Sequence, residues 1–344
     1  MTEITSPLPL LHANGTLANE GWARAPHWQY NRENIAAGKW RVKEWDYYSI
    51  LSPDQNFGIT FTTCDLGYIG LYAICFLDFT KQKFTQIDTM TILPLGTSGF
   101  PTTSHDGKIS FSDSNLSIDI TMNAVERKIR FSAPKMKSLE GKLGMNGEIR
   151  LSEPNNLESM NIATSWKEDR KAFYYNTKIN CMPAKGGFEF GGNTYQFDSN
   201  KDFGALDWGR GVWTYKNRWY WSSASGYLDQ KPFGFNLGYG FSDRTPASEN
   251  VLFYDNKIHK LDLIEFNIDT KNYLAPWKFT SNDNRLNLDF TPIVDRNSNL
   301  DLYFLKSIQH QVFGKFNGTV VLDNGKILKL KDFLGFAEDV LNWW

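Results

Sequence analysis

Apolar and polar residues alternate with period two through much of the chain, as in Phe57-Gly-Ile-Thr-Phe61, Leu116-Ser-Ile-Asp-Ile120, Phe233-Gly-Phe-Asn-Leu237 and Leu286-Asn-Leu-Asp-Phe290. That period sends successive side chains to opposite faces of an extended backbone and predicts half-buried strands. The pairs Asp106-Gly107, Asn146-Gly147, Asn317-Gly318 and Asn324-Gly325 punctuate the pattern and suit tight turns. Helical spacing is scarce. Asn31 to Ala37, before Gly38, reads as a short capped helix; Phe333, Phe336, Val340, Leu341 and Trp344 share one helical face at the C-terminus. Many short strands between turns predict an all-β class, sandwich or barrel.

The pattern also repeats. Asp54-Gln-Asn-Phe-Gly-Ile59 is similar to Asp229-Gln-Lys-Pro-Phe-Gly-Phe235, and Leu66-Gly-Tyr68 to Leu237-Gly-Tyr239. Ile109-Ser-Phe-Ser112 with Leu116-Ser-Ile-Asp-Ile-Thr121 matches Trp277-Lys-Phe-Thr280 with Leu286-Asn-Leu-Asp-Phe-Thr291. Gly141 to Ile149 matches Gly314 to Val320 across a short gap. Four matches in one order at nearly constant offset point to an internal duplication. The expected organisation is a lead-in over 1–39 and a first β-domain over 40–155. A connection with an extra hairpin over 156–204 follows, then a second β-domain over 205–344 ending in the short helix.

Composition narrows the function. A chain of 344 residues has room for two domains of about 150 residues each. Thirty-seven Lys and Arg against 38 Asp and Glu give no electrostatic reason to bind nucleic acid or an anionic membrane. No apolar run approaches a membrane-spanning length, and the acidic N-terminus is unlike a secretory signal, so a cytoplasmic protein is expected. Three scattered cysteines and five scattered histidines supply neither a fully paired disulfide framework nor a local metal motif. No Gly-x-Ser-x-Gly elbow, phosphate loop or dinucleotide fingerprint stands in a convincing context, so no cofactor is expected.

The densest unusual segment runs from Leu206 to Ser225 and carries Trp208, Trp213, Tyr215, Trp219, Tyr220 and Trp221 around Asp207 and Arg210. Such aromatics form either core or a binding wall. Asp207 has two readings. It pairs with Arg210 and pins a turn, or it faces aromatic rings, stays protonated near neutrality and acts as a general acid. From Phe233 to Phe241 one parity is apolar, and the other holds glycines with the single polar side chain Asn236. Bare glycines in a strand mark close approach by a neighbour or a ligand. Glu44 and Asp46 flank Trp45, while Glu249-Asn250, His259 and His310 sit beside apolar runs.

Several of these words, in order, resemble one family. They are Gly21-Trp-Ala-Arg24, Tyr30-Asn-Arg32, Lys43-Glu-Trp-Asp-Tyr-Tyr48, Leu206 to Trp213, Asn236-Leu-Gly-Tyr-Gly-Phe241, Glu249-Asn250, His259-Lys-Leu261, His310-Gln-Val-Phe-Gly314 and Gly335-Phe-Ala-Glu338. The resemblance is to the bacterial family known as domain of unknown function 2804, over nearly the whole chain. More remotely the chain is similar to tandem lipocalin-like (calycin) proteins, among them carotenoid 1,2-hydratase, the AttH-like proteins, tocopherol cyclase and lipocalin-like Diels–Alderases. That resemblance implies two lipocalin-like barrels or sandwiches. The hydratases carry Asp-His-x-Trp-Gly at the start of the second domain, with the Asp implicated in protonating an alkene. Asp207-Trp208-Gly209 stands in a similar place, aligned across a gap.

Together these readings imply a cofactor-free hydratase, cyclase or isomerase that protonates an apolar or amphipathic small molecule of isoprenoid or lipid-like type. Asp207, Arg210 and His310 are the expected catalytic residues. Trp208, Trp213, Tyr215, Trp219, Trp221, Asn236, Glu249, Asn250 and His259 would bind substrate, with Glu44 and Asp46 reaching across the domain interface. The alternative is a lipocalin-type carrier that holds a lipid without chemistry. An acid buried among aromatic rings separates the two, since a carrier of apolar ligands gains nothing from it.

Overall fold

The computed structural model describes residues 1–302 and 305–343. The N-terminal segment adds three short strands, β1 (Leu8–Pro9), β2 (Gly21–Ala23) and β3 (Trp28–Gln29). A meander follows: β4 (Val42–Ser52), β5 (Phe57–Asp65), β6 (Ile69–Asp78) and β7 (Lys83–Ile92). Next come β8 (Gly107–Ser112), β9 (Ser117–Met122), β10 (Glu126–Lys137) and β11 (Leu143–Ser152). After them lie β12 (Met160–Ser165), β13 (Phe173–Phe190), β14 (Asn193–Phe197) and β15 (Phe203–Val212). A second meander comprises β16 (Lys216–Leu228), β17 (Lys231–Tyr239), β18 (Val251–Tyr254) and β19 (Lys257–Lys260). The chain continues through β20 (Ile264–Asn267), β21 (Trp277–Ser281), β22 (Leu286–Leu302), β23 (Leu305–Val321) and β24 (Ile327–Trp343).

Two large sheets result, with main paths β7-β6-β5-β4-β15-β13-β11-β10-β9-β8 and β19-β18-β17-β16-β24-β23-β22-β21-β20. Each curls into a half-barrel, and together they match tandem lipocalin-like domains. In both, the first strand of a four-strand meander pairs antiparallel with the last main-path strand in chain order, β4 with β15 and β16 with β24. Three of the four sequence matches fall on equivalent places: the turns entering β5 and β17, the ends of those strands, and β8–β9 against β21–β22. The fourth does not. Gly141 to Ile149 ends in β11, whereas Gly314 to Val320 lies in β23, which stands beside β22 as β10 stands beside β9.

Three expectations need correction. The first sheet extends to Val212, because β15 pairs with β4 and β13 rather than opening the second sheet. The stretch 156–204, expected as a connection, supplies β12, β13 and β14, and β13 lies between β15 and β11 near the middle of the first sheet. Every residue of β15 is buried, so it lacks the alternation that marks a half-exposed strand. The expected C-terminal helix is strand β24, held between β16 and β23. Leu328, Leu330, Phe333 and Ala337 pack in the second core while Leu334 and Phe336 pack on the opposite face. A strand buried on both faces is apolar at both parities, which imitates helical spacing. Trp344 lies outside the described residues. Near Asn31, two short 3-10 turns (Arg32–Asn34 and Lys39–Arg41) replace the capped helix, with Asn31 accepting from the Glu33 N–H.

Each half-barrel encloses its own core. Tyr48, Phe61, Ile118, Ile149 and Trp208 belong to the first, and Phe235, Trp277, Phe290 and Phe316 to the second. The opposite faces of the two sheets meet in a seam. One seam cluster joins Tyr174, Phe203 and Trp213 to Val251 and Phe253; another joins Tyr47, Leu51 and Leu77 to Trp221, Phe313 and Phe336. All three cysteines are buried and unpaired. No described helix is long and apolar enough to cross a membrane, which leaves membrane crossing by strands untouched.

Candidate functional site

Strand β15 builds the site by alternation. Leu206, Trp208 and Val212 enter the first core, while Asp207 and Gly209 face the seam. Residues three apart on a strand point to opposite faces, so Asp207 and Arg210 do not pair. Lys178, directly opposite Asp207 on β13, takes the partner's place. Its Nζ lies 2.8 Å from Asp207 Oδ2, and Asn176 Nδ2 donates to Asp207 Oδ1 at 2.6 Å. Lys178 Nζ also lies 3.9 Å from Glu249 Oε2 and 4.2 Å over the Trp221 ring.

The second sheet supplies the rest. Glu249, just before β18, accepts from the Tyr174 hydroxyl at 2.8 Å. Glu338 on β24 accepts from Gln311 Nε2 at 2.6 Å and from Trp219 Nε1 at 3.4 Å. Gln311 Nε2 also donates to the Tyr47 hydroxyl at 2.8 Å, and its Oε1 accepts from Arg296 at 2.7 Å. Two carboxyl groups therefore flank one ammonium, and Glu338 is held beside them by Gln311 and Trp219. Glu249 and Lys178 are sealed, whereas 11% of the Asp207 side chain meets solvent and Glu338 is partly exposed. Packed surroundings and then the charge of Asp207 push the Glu338 carboxyl up to about 7. At neutral pH it holds a proton roughly half the time. Burial, then the charge of Glu249, holds the Tyr174 phenol well above its ordinary value, so it stays a donor.

The bare face of β17 serves this cluster. A Cβ at Gly238 would occupy the position of Glu249 Oε1, and the Gly238 N–H donates to Asn250 Oδ1 at 2.7 Å. Gly238→Ala is expected to push Glu249 off Tyr174 and Lys178, with about 1–3 kcal/mol lost in urea unfolding. An unchanged midpoint would show that Glu249 has room to move. Asn236 accepts from Trp221 Nε1 at 2.7 Å and donates to the Glu249 carbonyl at 3.0 Å, fixing both groups. Asn250 donates to the Asp262 carbonyl at 2.8 Å and holds the loop. At one end of the seam Trp213 packs against Trp45, Trp166, Tyr174 and Trp219 with ring centroids 5.2–5.8 Å away. Farther along β15, Ala205 and Phe203 line a crevice with Ser49, Ser223 and Phe336 that holds about 10 Å³, room for about one water.

Other expected site residues lie elsewhere. Arg210 is fully buried on the first-core face; its Nη1 donates to Asp46 Oδ1 at 3.0 Å and to the Trp45 and Gly209 carbonyls. Its guanidinium stacks 4.1 Å over Trp208. Glu44 accepts from the Tyr30 hydroxyl at 2.8 Å and pairs with Arg32. Glu44 and Asp46 share the parity of Tyr48 and Ile50 on β4, which pack in the first core, so they turn away from the seam that they were expected to reach. His310 stands on the opposite face of β23 from Gln311. It lies 2.8 Å from Asp295 and 3.6 Å from a stacked Tyr273 ring, whose hydroxyl donates to Asp339. His259 pairs with Asp323 at 3.4 Å at the surface, and Tyr215 is exposed. Asp207, Arg210 and His310 thus occupy three separate faces. Lys178, Asn176, Tyr174, Tyr47, Gln311 and Glu338 were not among the expected site residues. A lysine within the aromatic run Phe173-Tyr-Tyr-Asn-Thr-Lys178 was the available signal.

A pair of curled sheets joined back to back is a tandem lipocalin-like fold, here with an acidic cluster in the join. The chain belongs to the family described as domain of unknown function (DUF2804), whose model matches residues 1–344. Crystal structures of CghA are similar at 10% identity. The complex with Sch210972 has a TM-score of 0.51 over 88% of each chain, and CghA itself 0.52 over 90% of this chain and 92% of that one. A putative AttH from Nitrosomonas europaea has a TM-score of 0.51 at 11% identity, over 92% of this chain and 98% of that one. Kievitone hydratase from Nectria haematococca has a TM-score of 0.49 at 12% identity, over 90% and 93%. No curated protein matches the chain.

Proposed function

We propose that the protein is an acid–base enzyme, of hydratase, cyclase or isomerase type, acting on an apolar small molecule admitted to the seam. The observation that carries this reading is the gathering of three carboxyl groups at a sheet-to-sheet junction, Asp207 and Glu249 paired with Lys178 and Glu338 close enough to feel the charge of Asp207. Desolvating carboxylates costs several kcal/mol for each ion, and apolar contacts would join two sheets more cheaply. Perturbed acids gathered in one place mark sites of proton transfer. Glu338 is the proton donor that the geometry favours: it is partly exposed and half protonated at neutral pH. Asp207 already accepts hydrogen bonds at both oxygens and acts as the fixed negative charge beside it. CghA, a protein of this fold, was crystallised with the small molecule Sch210972, which supports occupation by a ligand of that size. Entry requires the seam to part, because the crevice along β15 at Phe203 and Ala205 has room for about one water. We place the enzyme in the cytoplasm.

The test incubates the protein with a crude small-molecule extract and compares masses before and after. An enzyme yields a compound that gains water, or one of unchanged mass and altered retention, and Glu338→Gln slows its appearance by about 10²–10⁴-fold. A compound retained unchanged by wild type and variant alike identifies a carrier instead.

A further inference from the structure

We propose that the seam recognises its ligand through a positive charge, either a protonated amine on an apolar body or the cation formed when a neutral substrate takes up a proton. This rests on the reading of the seam as the reaction site. Asp207 and Glu249 engage Lys178 there at 2.8 Å and 3.9 Å, the Trp221 ring lies 4.2 Å from its ammonium, and Glu338 is near enough for the charge of Asp207 to act on it. The other nearby cations have partners of their own; Lys260, on which the charge of Glu249 acts, is held by the Ser248 hydroxyl and the Asn250 and Leu261 carbonyls. Arg210 is on the other face of β15, and Arg218 is held by Asp339 on the other face of β16 from Trp219 and Trp221. Arg296 binds Gln311 and Gln86. Lys43, on the same parity of β4 as Tyr47, donates to the Leu66 carbonyl at 2.7 Å and lies 4.3 Å over Tyr68.

A molecule parting the seam therefore meets carboxyl oxygens first, those of Asp207 and Glu338. A carboxylate or phosphate head would bring negative charge against carboxyl groups while the one ammonium is already engaged, where like charges cost several kcal/mol. A cation pairs with those carboxyl groups instead. It also changes Glu338, because a positive charge at contact distance favours the ionised carboxyl. Near pH 7 cation binding then expels the proton that Glu338 holds part of the time. The same pairing, carboxylate against cation, follows transfer of that proton to a neutral substrate. A stable amine thus imitates the state after protonation.

Octylamine, octanol and octanoate carry one chain and three heads, and titration calorimetry of the intact protein at pH 7 compares them. Two buffers of different ionisation enthalpy count the protons exchanged. Octylamine is expected to bind at least about tenfold tighter than octanoate, with proton release that Glu338→Gln removes and a preference that Asp207→Asn weakens. Octanoate binding as tightly as octylamine, with affinities that still respond to these substitutions, overturns the charge selection alone. Binding of no probe, or binding indifferent to both substitutions, overturns the seam as the site.

Discussion

Arg210→Ala is expected to lower the unfolding free energy by about 3–5 kcal/mol, enough to unfold much of a marginally stable protein. The guanidinium is fully buried, as is Asp46, its partner at 3.0 Å. Removing it strands the Asp46 carboxylate and takes donors from the Trp45, Gly209 and Pro101 carbonyls. Burial already raises the Asp46 carboxyl despite the arginine beside it. In the variant the folded protein would bind a proton there at pH values where the unfolded chain does not. The deficit should therefore shrink as pH falls and widen as pH rises. Urea unfolding followed by tryptophan emission measures it. Replacing both members with apolar residues, as Arg210→Met with Asp46→Leu, should recover much of the loss, because a buried ion pair is costlier to break than to omit. A loss under about 1 kcal/mol for Arg210→Ala would mean that Asp46 is not carrying a buried charge.

That arginine also shows where the sequence could be read and where it could not. Period-two alternation and the ordered repeats established the all-β, duplicated architecture, because half-exposed strands and turn pairs leave local marks. The centre of the molecule left none. In β15, and in β24 from Phe333 onward, both faces are covered, one by a half-barrel core and one by the seam, so alternation disappears and the end of β24 imitated a helix. The segment Leu206 to Trp213 stood out for its chemistry, but the partner of Asp207 could not be found from spacing. Arg210 is near in sequence and on the wrong face; Lys178 is distant in sequence and directly opposite. Glu338 and Gln311 come into the site through strand pairing across the second sheet, a relation with no local signature. The glycines of β17 were legible as a place of close approach. What approaches Gly238 is the carboxyl of Glu249.

Glu338→Gln should remove a pH dependence that needs no substrate to observe. The folded protein holds this carboxyl up to about 7, against an ordinary value of 4.5. Between those values the folded state binds a proton that the unfolded chain has released. The associated stability is present below about 4.5 and is lost as pH rises through about 7. Partial exposure keeps the effect to about 1–3 kcal/mol. Glutamine has no proton to lose, so wild-type stability relative to the variant should decline across this range in urea unfolding at half-unit steps of pH. A constant difference would show that Glu338 titrates as an ordinary carboxyl and is no proton donor at pH 7. Turnover should follow the same group. The wild-type rate should fall above about 7 as the donor is lost, and Glu338→Gln should reduce it by about 10²–10⁴-fold. Asp207→Asn separates cause from coincidence. The charge of Asp207 is the second force, after burial, that holds the Glu338 proton in place, with Lys178 and the donors Gln311 and Trp219 opposing it. Neutralising Asp207 should therefore move the Glu338 titration to lower pH, whether read by stability or by residual rate. A titration that stays in place would leave the two carboxyl groups uncoupled and the proton donor elsewhere.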